Sequence, residues 1–430
     1  MSTKTIILNS GRCAWGACFA CGWGKIKGPE PSIHRLKAEI DKIFSKLDKG
    51  IDNLKIFASG SFLDDRQFPR AIRQYLVKRC IEKRITGLTI ESRPEFITDE
   101  NLQDFKGMSL TVAIGLEIAD NEILKKYNKG FTVEDYIKAA EIIKRNHCKL
   151  RTYIMVGLPF VKNHKQATKD SVELARKYSD SIVLINTFPH SAAPIFDYWL
   201  EGKWKPLDRK QFEDIVRNFP DCEKEFDNFA FIPKFPREKR EFIKGATKNQ
   251  LLHPHFEVWQ DYFCRFYQPP QGKNILLFIP CTHRKPYYKS QLHKAILSAI
   301  EKLACFQKIH MIVVSNPGVI PYEFADNYPF ANYDWPEWEE TPEIKKLYID
   351  ITAKRVLAFL SAHKEHYKAF FAYFKPDSES WKALQKAAEK LDIKIKNCVS
   401  EETYKKIKGE TNPLTKTVAL EDLSMTLKKL

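Results

Sequence analysis

The first half of this 430-residue chain carries a succession of short apolar runs, each closing on glycine or a polar residue, with longer stretches of helical periodicity between them. Leu54 to Ala58 leads into Ser59-Gly60-Ser61, and Gly87 to Glu91 follows. Ser109 to Glu117 closes on Gly115-Leu116-Glu117, Leu150 to Val156 closes on Gly157-Leu158-Pro159, and Ser181 to Asn186 makes a further run. Pro69 to Arg84, Val133 to Asn146 and Gln166 to Tyr178 repeat apolar residues at helical spacing. Such alternation predicts a parallel sheet, because parallel strands need a long crossover and a helix supplies it. With the opening run Thr5 to Leu8 the units number about six. The expected fold class is α/β: a partial (β/α)6 barrel followed by a smaller α/β domain.

In a barrel of this kind the carboxyl ends of the strands form the rim where chemistry is done. The loop after the first strand holds Cys13-Ala-Trp-Gly-Ala-Cys18-Phe-Ala-Cys21, a C-x4-C-x2-C spacing. Three thiolates on one short loop can hold three irons of a [4Fe-4S] cluster and leave the fourth iron open to a ligand. A structural zinc site is the alternative; it would want a second pair of ligands, and the nearest histidine, His34, stands alone. Inert core thiols are the third reading. Gly60, Glu91, Glu117 and Gly157 would meet the cysteine loop around the rim. Taken singly, each glycine is also a tight turn and each glutamate also a solvated strand end.

The ordered motifs resemble a known family. The cysteine loop, Ser59 to Asp64, Glu91-Ser92-Arg93-Pro94-Glu95, Gly115-Leu116-Glu117, Asn128 to Thr132 and Ile154 to Pro159 are similar to the radical S-adenosylmethionine (SAM) enzymes near the elongator-type tRNA-modifying group, and within it to those of archaeosine formation. The resemblance covers roughly residues 1 to 270 and implies that Cys13, Cys18 and Cys21 ligate the cluster. It also implies that Ser59, Gly60 and Ser61 meet the methionine end of SAM, although the family has glycine where Ser59 stands. Glu91 and Arg93 would face cofactor or substrate, Glu117 the SAM ribose, and Met155, Gly157 and Pro159 would run beside the adenine. The implied cofactors are the [4Fe-4S] cluster and SAM, fed by an external electron donor.

A change of texture marks the second half. Residues 220 to 272 are aromatic, charged and irregular, with Tyr267 to Gly272 as a linker. Asn274 to Ile279 then reads as a buried strand ending in Pro280-Cys281, followed by Lys285-Pro286-Tyr287, Ser290 and His293, the helix Ser290 to Cys305 and a strand at His310 to Val314. Cys281, Lys285, Ser290 and His293 form a candidate second site, since a strand, a polar loop and a helix start make an anion site; a well-capped helix with Cys281 as core filler accounts for the same residues. This segment, with Val319 to Glu323, Tyr328-Pro329-Phe330 and Asn332-Tyr333-Asp334, is similar to a domain of the archaeosine synthase α subunits, over about residues 273 to 375. The expected domains are 1–219, a barrel extension and linker at 220–272, an α/β domain at 273–400, and a basic tail or helix at 401–430.

Charge and composition narrow the partners. Lys and Arg number 70 against 54 Asp and Glu, a net +16, which favours a polyanion, tRNA first. A solvated lysine-rich surface is the bland alternative. Lys203-Trp204-Lys205 and Lys234 to Arg240 interleave basic and aromatic residues in the mixture that neutralises phosphates and stacks bases. Ten scattered cysteines suit a reducing compartment rather than a disulfide framework. No apolar run approaches a membrane span and the start MSTKTIILNS lacks a signal-peptide pattern, so a cytoplasmic protein without membrane contact is expected. The resemblance implies action on a lysine-bearing 7-deazaguanine at tRNA position 15, with an archaeosine synthase subunit as a partner. Another radical SAM reaction, on another tRNA base or a small metabolite, and a non-enzymatic zinc or RNA-binding protein stay open.

Overall fold

The computed structural model describes residues 2–48, 50–226 and 231–429, and the chain divides into two compact units, residues 1–199 with 203–229 and residues 200–202 with 230–430. Among the described residues the first unit is an open, wholly parallel sheet of seven strands in sequential order: β1 (Thr3–Ile7), β2 (Asn53–Phe57), β3 (Gly87–Glu91), β4 (Ser109–Glu117), β5 (Lys149–Val156), β6 (Ser181–Asn186) and β7 (Glu223–Glu225). Helices fill the crossovers: α1 (Ile33–Ser45), α2 (Arg70–Glu82), α3 (Asp99–Gln103), α4 (Asn121–Lys126), α5 (Val133–Arg145), α6 (His164–Ala175), α7 (Pro194–Leu200) and α8 (Arg209–Val216).

Local chemistry explains these elements. On α5, Thr132 and Asp135 form a reciprocal capping box, and the buried Tyr136, Ala139, Ala140 and Ile143 repeat at helical spacing to face the sheet. On β5, Leu150, Thr152, Ile154 and Val156 alternate inward. Thr152 is polar in that row because its hydroxyl hydrogen-bonds with Tyr136 Oη at 2.7 Å and Ser179 Oγ at 2.7 Å. The seventh strand escapes a search for apolar runs: Glu223, Lys224 and Glu225 are all exposed, and Glu223 anchors the edge by pairing with Arg151 of β5 at 2.5 Å.

The second unit contains β8 (Ile243–Lys244), β9 (Ile275–Pro280), β10 (Ile309–Ser315), β11 (Gly318–Pro321), β12 (Tyr333–Asp334), β13 (Ala369–Ala372) and β14 (Lys396–Asn397). Its main sheet runs β11-β10-β9-β13-β14, parallel except for β11, so strand order reverses between β9 and β13; β12 pairs separately with β8. Its helices are α9 (Lys248–Leu251), α10 (Pro254–Arg265), α11 (Gln291–Ile300), α12 (Pro342–His363), α13 (Glu379–Leu391), α14 (Glu401–Ile407) and α15 (Thr417–Leu427). The stretch 220–272 is thus shared, β7 going to the first unit and α10 to the second, where Trp259 and Phe263 pack on Phe324 and Phe330 at 5.3–5.9 Å. The basic end of the chain is also docked: Ala419, Leu423 and Leu427 of α15 are buried, and Ser424 Oγ donates to the Ala299 carbonyl of α11 at 3.2 Å.

One charged network lies within the first unit's helix layer. Arg73 is 1% exposed, and its guanidinium meets Asp104, itself almost wholly buried, at 2.8 Å and Asp65 at 2.7 Å, while donating to Asn101 and the Phe68 carbonyl. Breaking a buried pair leaves an uncompensated charge. Arg73→Met is therefore expected to lower unfolding stability by about 3 kcal/mol, measured as a shift of the urea midpoint; a variant as stable as the parent would show that Arg70, which also pairs with Asp104, suffices.

Candidate functional site

The loop after β1 lies across the carboxyl ends of its neighbours. Gly16 N–H donates to Cys13 Sγ at 3.4 Å and Gly24 N–H to Cys21 Sγ at 3.3 Å, while Cys18 Sγ faces the Lys129 carbonyl at 4.0 Å. The loop is fixed to the segment after α4: Phe19 N–H donates to the Tyr127 carbonyl at 2.8 Å, Trp15 Nε1 to the Asn128 carbonyl at 2.7 Å, and Asn128 Nδ2 to the Ala17 carbonyl at 3.1 Å. Gly130 allows this docking, because a Cβ there would stand 2.4 Å from the Trp15 ring. Burial pushes the Cys18 and Cys21 thiols above the ordinary range, and Lys129 opposes the shift at both. Buried thiols that resist ionisation as free groups are relieved by a metal, which stabilises the thiolate.

Each later strand end touches this loop or the residues beneath it. After β2, Gly60 has φ +124°, and a Cβ on it would meet Gln67 Oε1 at 2.3 Å and Cys13 Cα at 2.9 Å, so only glycine brings this turn against the cysteine loop. Gln67 is 1% exposed and knits the two loops: its Nε2 donates to the Ser10 and Ser59 carbonyls, and its Oε1 accepts from Ser61 N–H at 3.0 Å. Ser61 Oγ lies 2.8 Å from Ser92 Oγ.

After β3, Arg93 is buried between the rings of Trp15 and Phe131, at 5.7 and 5.3 Å. Its Nε donates to Glu95 and its Nη1 to the Lys129 carbonyl at 3.1 Å, but the buried Nη2 has no partner among the described residues. Glu91, half-buried at the end of β3, is raised from 4.5 to about 7 chiefly by desolvation, against a backbone hydrogen bond from Ala58.

At the end of β4, Glu117 (φ +67°) pairs with Lys129 Nζ at 2.5 Å, both side chains nearly buried. Burial would push Lys129 down, but Glu117 and Cys18 hold its ammonium above the ordinary lysine range. After β5, Gly157 and Pro159 are buried and Met155 is half-buried, while Phe160 packs on Phe19 of the cysteine loop at 5.2 Å. The Gly157 carbonyl accepts from Trp204 Nε1 at 3.0 Å. At the end of β6, Asn186 is fully buried; its Nδ2 donates to the Leu207 carbonyl and its Oδ1 is unpartnered among the described residues. His190 then closes over Gly22, where a Cβ would be 1.8 Å from its Nδ1, and stacks edge-on with Trp23 at 5.0 Å.

These residues fit the two groups expected from the sequence. Among the described residues the group of metal-ligating atoms that all lie within 4.8 Å of one another is Glu241, His253 and His255, not the three thiols. Three thiols on one loop, two of them accepting N–H···S hydrogen bonds, make a donor set that suits a cluster with one open iron. Arg93 Nη2 and Asn186 Oδ1 offer a buried donor and a buried acceptor for a polar ligand. Gln67, Lys129, Asn186 and His190 belong to this arrangement and were not among the candidates. Asn186 obeys the strand-end rule used for the others; Gln67 carries no sequence signal.

The second set divides differently. Ser290 Oγ caps α11 by accepting from His293 N–H at 3.1 Å, and His293 Nε2 bonds the Pro280 carbonyl at 2.9 Å between the rings of Tyr287 and Tyr322. Burial pulls His293 down to about 4. Cys281, raised by burial and hydrogen-bonded to Ser315, and Lys285, lowered by burial, lie instead with Tyr287, Ser315 and Tyr333. Lys285 Nζ stands 3.9 Å over the Tyr333 ring, and Tyr333 Oη is 2.8 Å from Tyr287 Oη and 2.5 Å from Ser315 Oγ. The two basic-aromatic stretches do not present stacking platforms: Trp204 and Phe235 are buried, Trp204 on Gly157 and Phe235 against His255 and Tyr328, because burying a large ring outweighs exposing it.

Two measurements check this geometry. Gly60→Ala is expected to lose most iron and sulfide after anaerobic reconstitution while the chain stays folded, read by iron content and visible absorbance; full loading would remove Gly60 from the loop's architecture. Glu91 stabilises the fold below its unfolded value of 4.5, and that contribution is lost as pH rises through about 7. Glu91→Gln should therefore gain on the parent between pH 5 and pH 8, by up to about 3 kcal/mol, in denaturant titrations; a pH-independent difference would contradict it.

Comparison with known proteins follows the same division. Residues 9–179 match the family model of the Radical SAM superfamily, and residues 256–412 match a domain of unknown function, DUF5591. The chain is 31% identical over 218 residues to archaeosine synthase subunit beta of Methanosarcina acetivorans, covering 47% of this chain and 63% of that protein. It is 27% identical over 203 residues to the subunit of the same name from Thermococcus kodakarensis, covering 44% and 62%. It is also 32% identical over 107 residues to archaeosine synthase subunit alpha of Thermoplasma acidophilum, covering 24% and 20%. The chain thus spans 63% and 62% of the length of these two beta subunits. The stretch that holds the cysteine loop is thus similar to the Radical SAM superfamily, and the stretch that holds Cys281 to DUF5591.

Proposed function

We propose that the chain is a radical SAM enzyme of tRNA modification that cleaves the lysine carbon–nitrogen bond of a lysine-bearing 7-deazaguanine at position 15, leaving archaeosine. One observation carries this reading: a single chain is similar to both the beta and the alpha subunits of archaeosine synthase, and its cysteine loop lies within the stretch that matches the Radical SAM superfamily. Cys13, Cys18 and Cys21 would hold the cluster, and Ser59, Gly60, Ser61, Glu117, Met155, Gly157 and Pro159 are the proposed surroundings of SAM. When bound, and reduced by an external donor, the two groups supply a carbon-centred radical that abstracts hydrogen.

The residues of the chain supply aim and enclosure. Arg93 Nη2 offers an ionic hydrogen bond to an anionic group entering the site, and Asn186 Oδ1 accepts from an amino or hydroxyl group. Glu91, near 7, holds or releases a proton at its carboxyl close to neutral pH. The half-buried aromatic cluster of Phe19, Phe160 and Tyr198 covers that side of the loop. The base must leave the tRNA stack to reach such a rim. An archaeosine synthase subunit is the proposed partner that attaches the lysine.

The test is anaerobic incubation of tRNA bearing the lysine-modified base with reconstituted protein, SAM and dithionite, followed by mass spectrometry of the nucleosides. The expected result is loss of the modified base with appearance of archaeosine and 5′-deoxyadenosine, abolished by Cys13→Ala. SAM cleavage with the base unchanged, with and without the partner subunit, would overturn the substrate while leaving the radical chemistry.

A further inference from the structure

Helices α12 and α13 pack together within the DUF5591 match, and small buried residues, Ala353 on α12 and Ala383 and Ala387 on α13, let their axes approach closely. Beside them lies an open groove of about 230 Å³, lined by Asp350, Ala353, Lys354 and Leu357 of α12 and by Lys386 and Lys390 of α13. Helical spacing sets Lys346, Asp350 and Lys354 in one row and Lys386 and Lys390 in the other, successive members about 6 Å apart along each axis. All four lysines are exposed.

The charges in this groove are predominantly positive. Three lysines gather around one carboxylate: Lys386 Nζ meets Asp350 at 2.7 Å, and Lys386, Lys346 and Lys354 together hold that carboxyl below its usual range. Lys346, Lys354 and Lys390 have no carboxylate within ion-pair distance among the described residues. On α12 the order Lys346, Asp350, Lys354 alternates in sign and supports the helix, whereas Lys386 and Lys390, four apart on α13, repel by a few tenths of a kcal/mol. With Lys386 neutralising Asp350, the remaining lysines leave the groove a net positive charge on two facing helices over an apolar floor, which complements a polyanion. The floor of alanine and leucine offers nothing to read a base edge, so the contact is electrostatic and independent of sequence.

We infer that the groove between α12 and α13 seats the phosphate backbone of RNA, and, resting on the function proposed above, that this RNA is the tRNA substrate. The domain resembling the alpha subunit then serves the radical site by holding the nucleic acid, a role distinct from its Cys281 cluster.

Binding of a tRNA transcript to the full chain, measured across a salt series by fluorescence anisotropy, tests this. Replacing Lys354, Lys386 and Lys390 together by Gln should weaken binding on the order of tenfold to hundredfold and reduce the slope of log affinity against log salt by about 2 to 3. Asp350→Asn, which frees Lys386, should tighten binding severalfold. Circular dichroism melting of both variants confirms that these exposed changes leave the fold intact. Unchanged affinity and slope in the triple variant, with parental binding present, would overturn the groove alone; absence of tRNA binding by the parent would overturn both the groove and the tRNA reading. Loss of binding in the triple variant without a change of salt slope would also count against a phosphate contact.

Discussion

The buried ion pair of Glu117 and Lys129 underlies the arrangement of the first unit's rim. Lys129 serves three neighbours at once: its ammonium neutralises Glu117, its carbonyl accepts from Arg93 Nη1, and the same carbonyl faces Cys18. The two flanking residues, Asn128 and Gly130, receive Trp15 of the cysteine loop, the first through a hydrogen bond and the second by lacking a Cβ. An ammonium and a carboxylate this deep are costly to desolvate separately and tolerable only together. The position of the cysteine loop is therefore set by a pair on the β4 side of the barrel rather than by the loop's own residues.

That dependence explains what could and could not be read from the sequence. The strands that end in glycine or a polar residue were legible because apolar runs and helical periodicity are local, and β3, β4 and β6 have the bounds their patterns suggested. The cysteines were legible because ligand spacing is a property of one loop. Gln67 was not, since a glutamine between Arg66 and Phe68 looks like surface, and only the closing of two loops makes it a fourfold hydrogen-bonding bridge. The strand Glu223–Glu225 was invisible for the opposite reason: it contributes backbone hydrogen bonds and an ion pair but no apolar side chain. The basic-aromatic stretches misled because composition records which residues are adjacent in sequence and not which way they face.

In the second unit the strand order reverses between β9 and β13, and in doubly wound sheets the crevice beyond the carboxyl ends at such a reversal is where ligands settle. Cys281 follows β9 directly. Ser290 and His293 lie nearby in sequence, yet their polar atoms are taken by the helix cap and the Pro280 carbonyl, so they hold the loop in place. Cys281, Lys285 and the three hydroxyls of Tyr287, Ser315 and Tyr333 remain grouped at the strand ends. The contiguous motif in sequence is thus a scaffold half and a polar half, separated by which side of the loop each side chain takes.

Charge bookkeeping unites the rim's titrating groups. If all three thiols ionise, they bring three negative charges to a place already holding Glu117 and Glu91, against Lys129 and Arg93. The surroundings answer by keeping protons: burial raises Cys18 and Cys21, and Glu91 reaches about 7. A metal centre bound by the thiols lifts the penalty on Cys18 and Cys21, because it favours the thiolates. Loading such a loop must then expel protons, and the loop is the more tightly held the higher the pH at which it is filled. The two N–H···S hydrogen bonds from Gly16 and Gly24 act in the same direction, since they strengthen as sulfur gains negative charge. Cys18 and Cys21 therefore hold their protons while metal-free and are arranged to lose them to a metal.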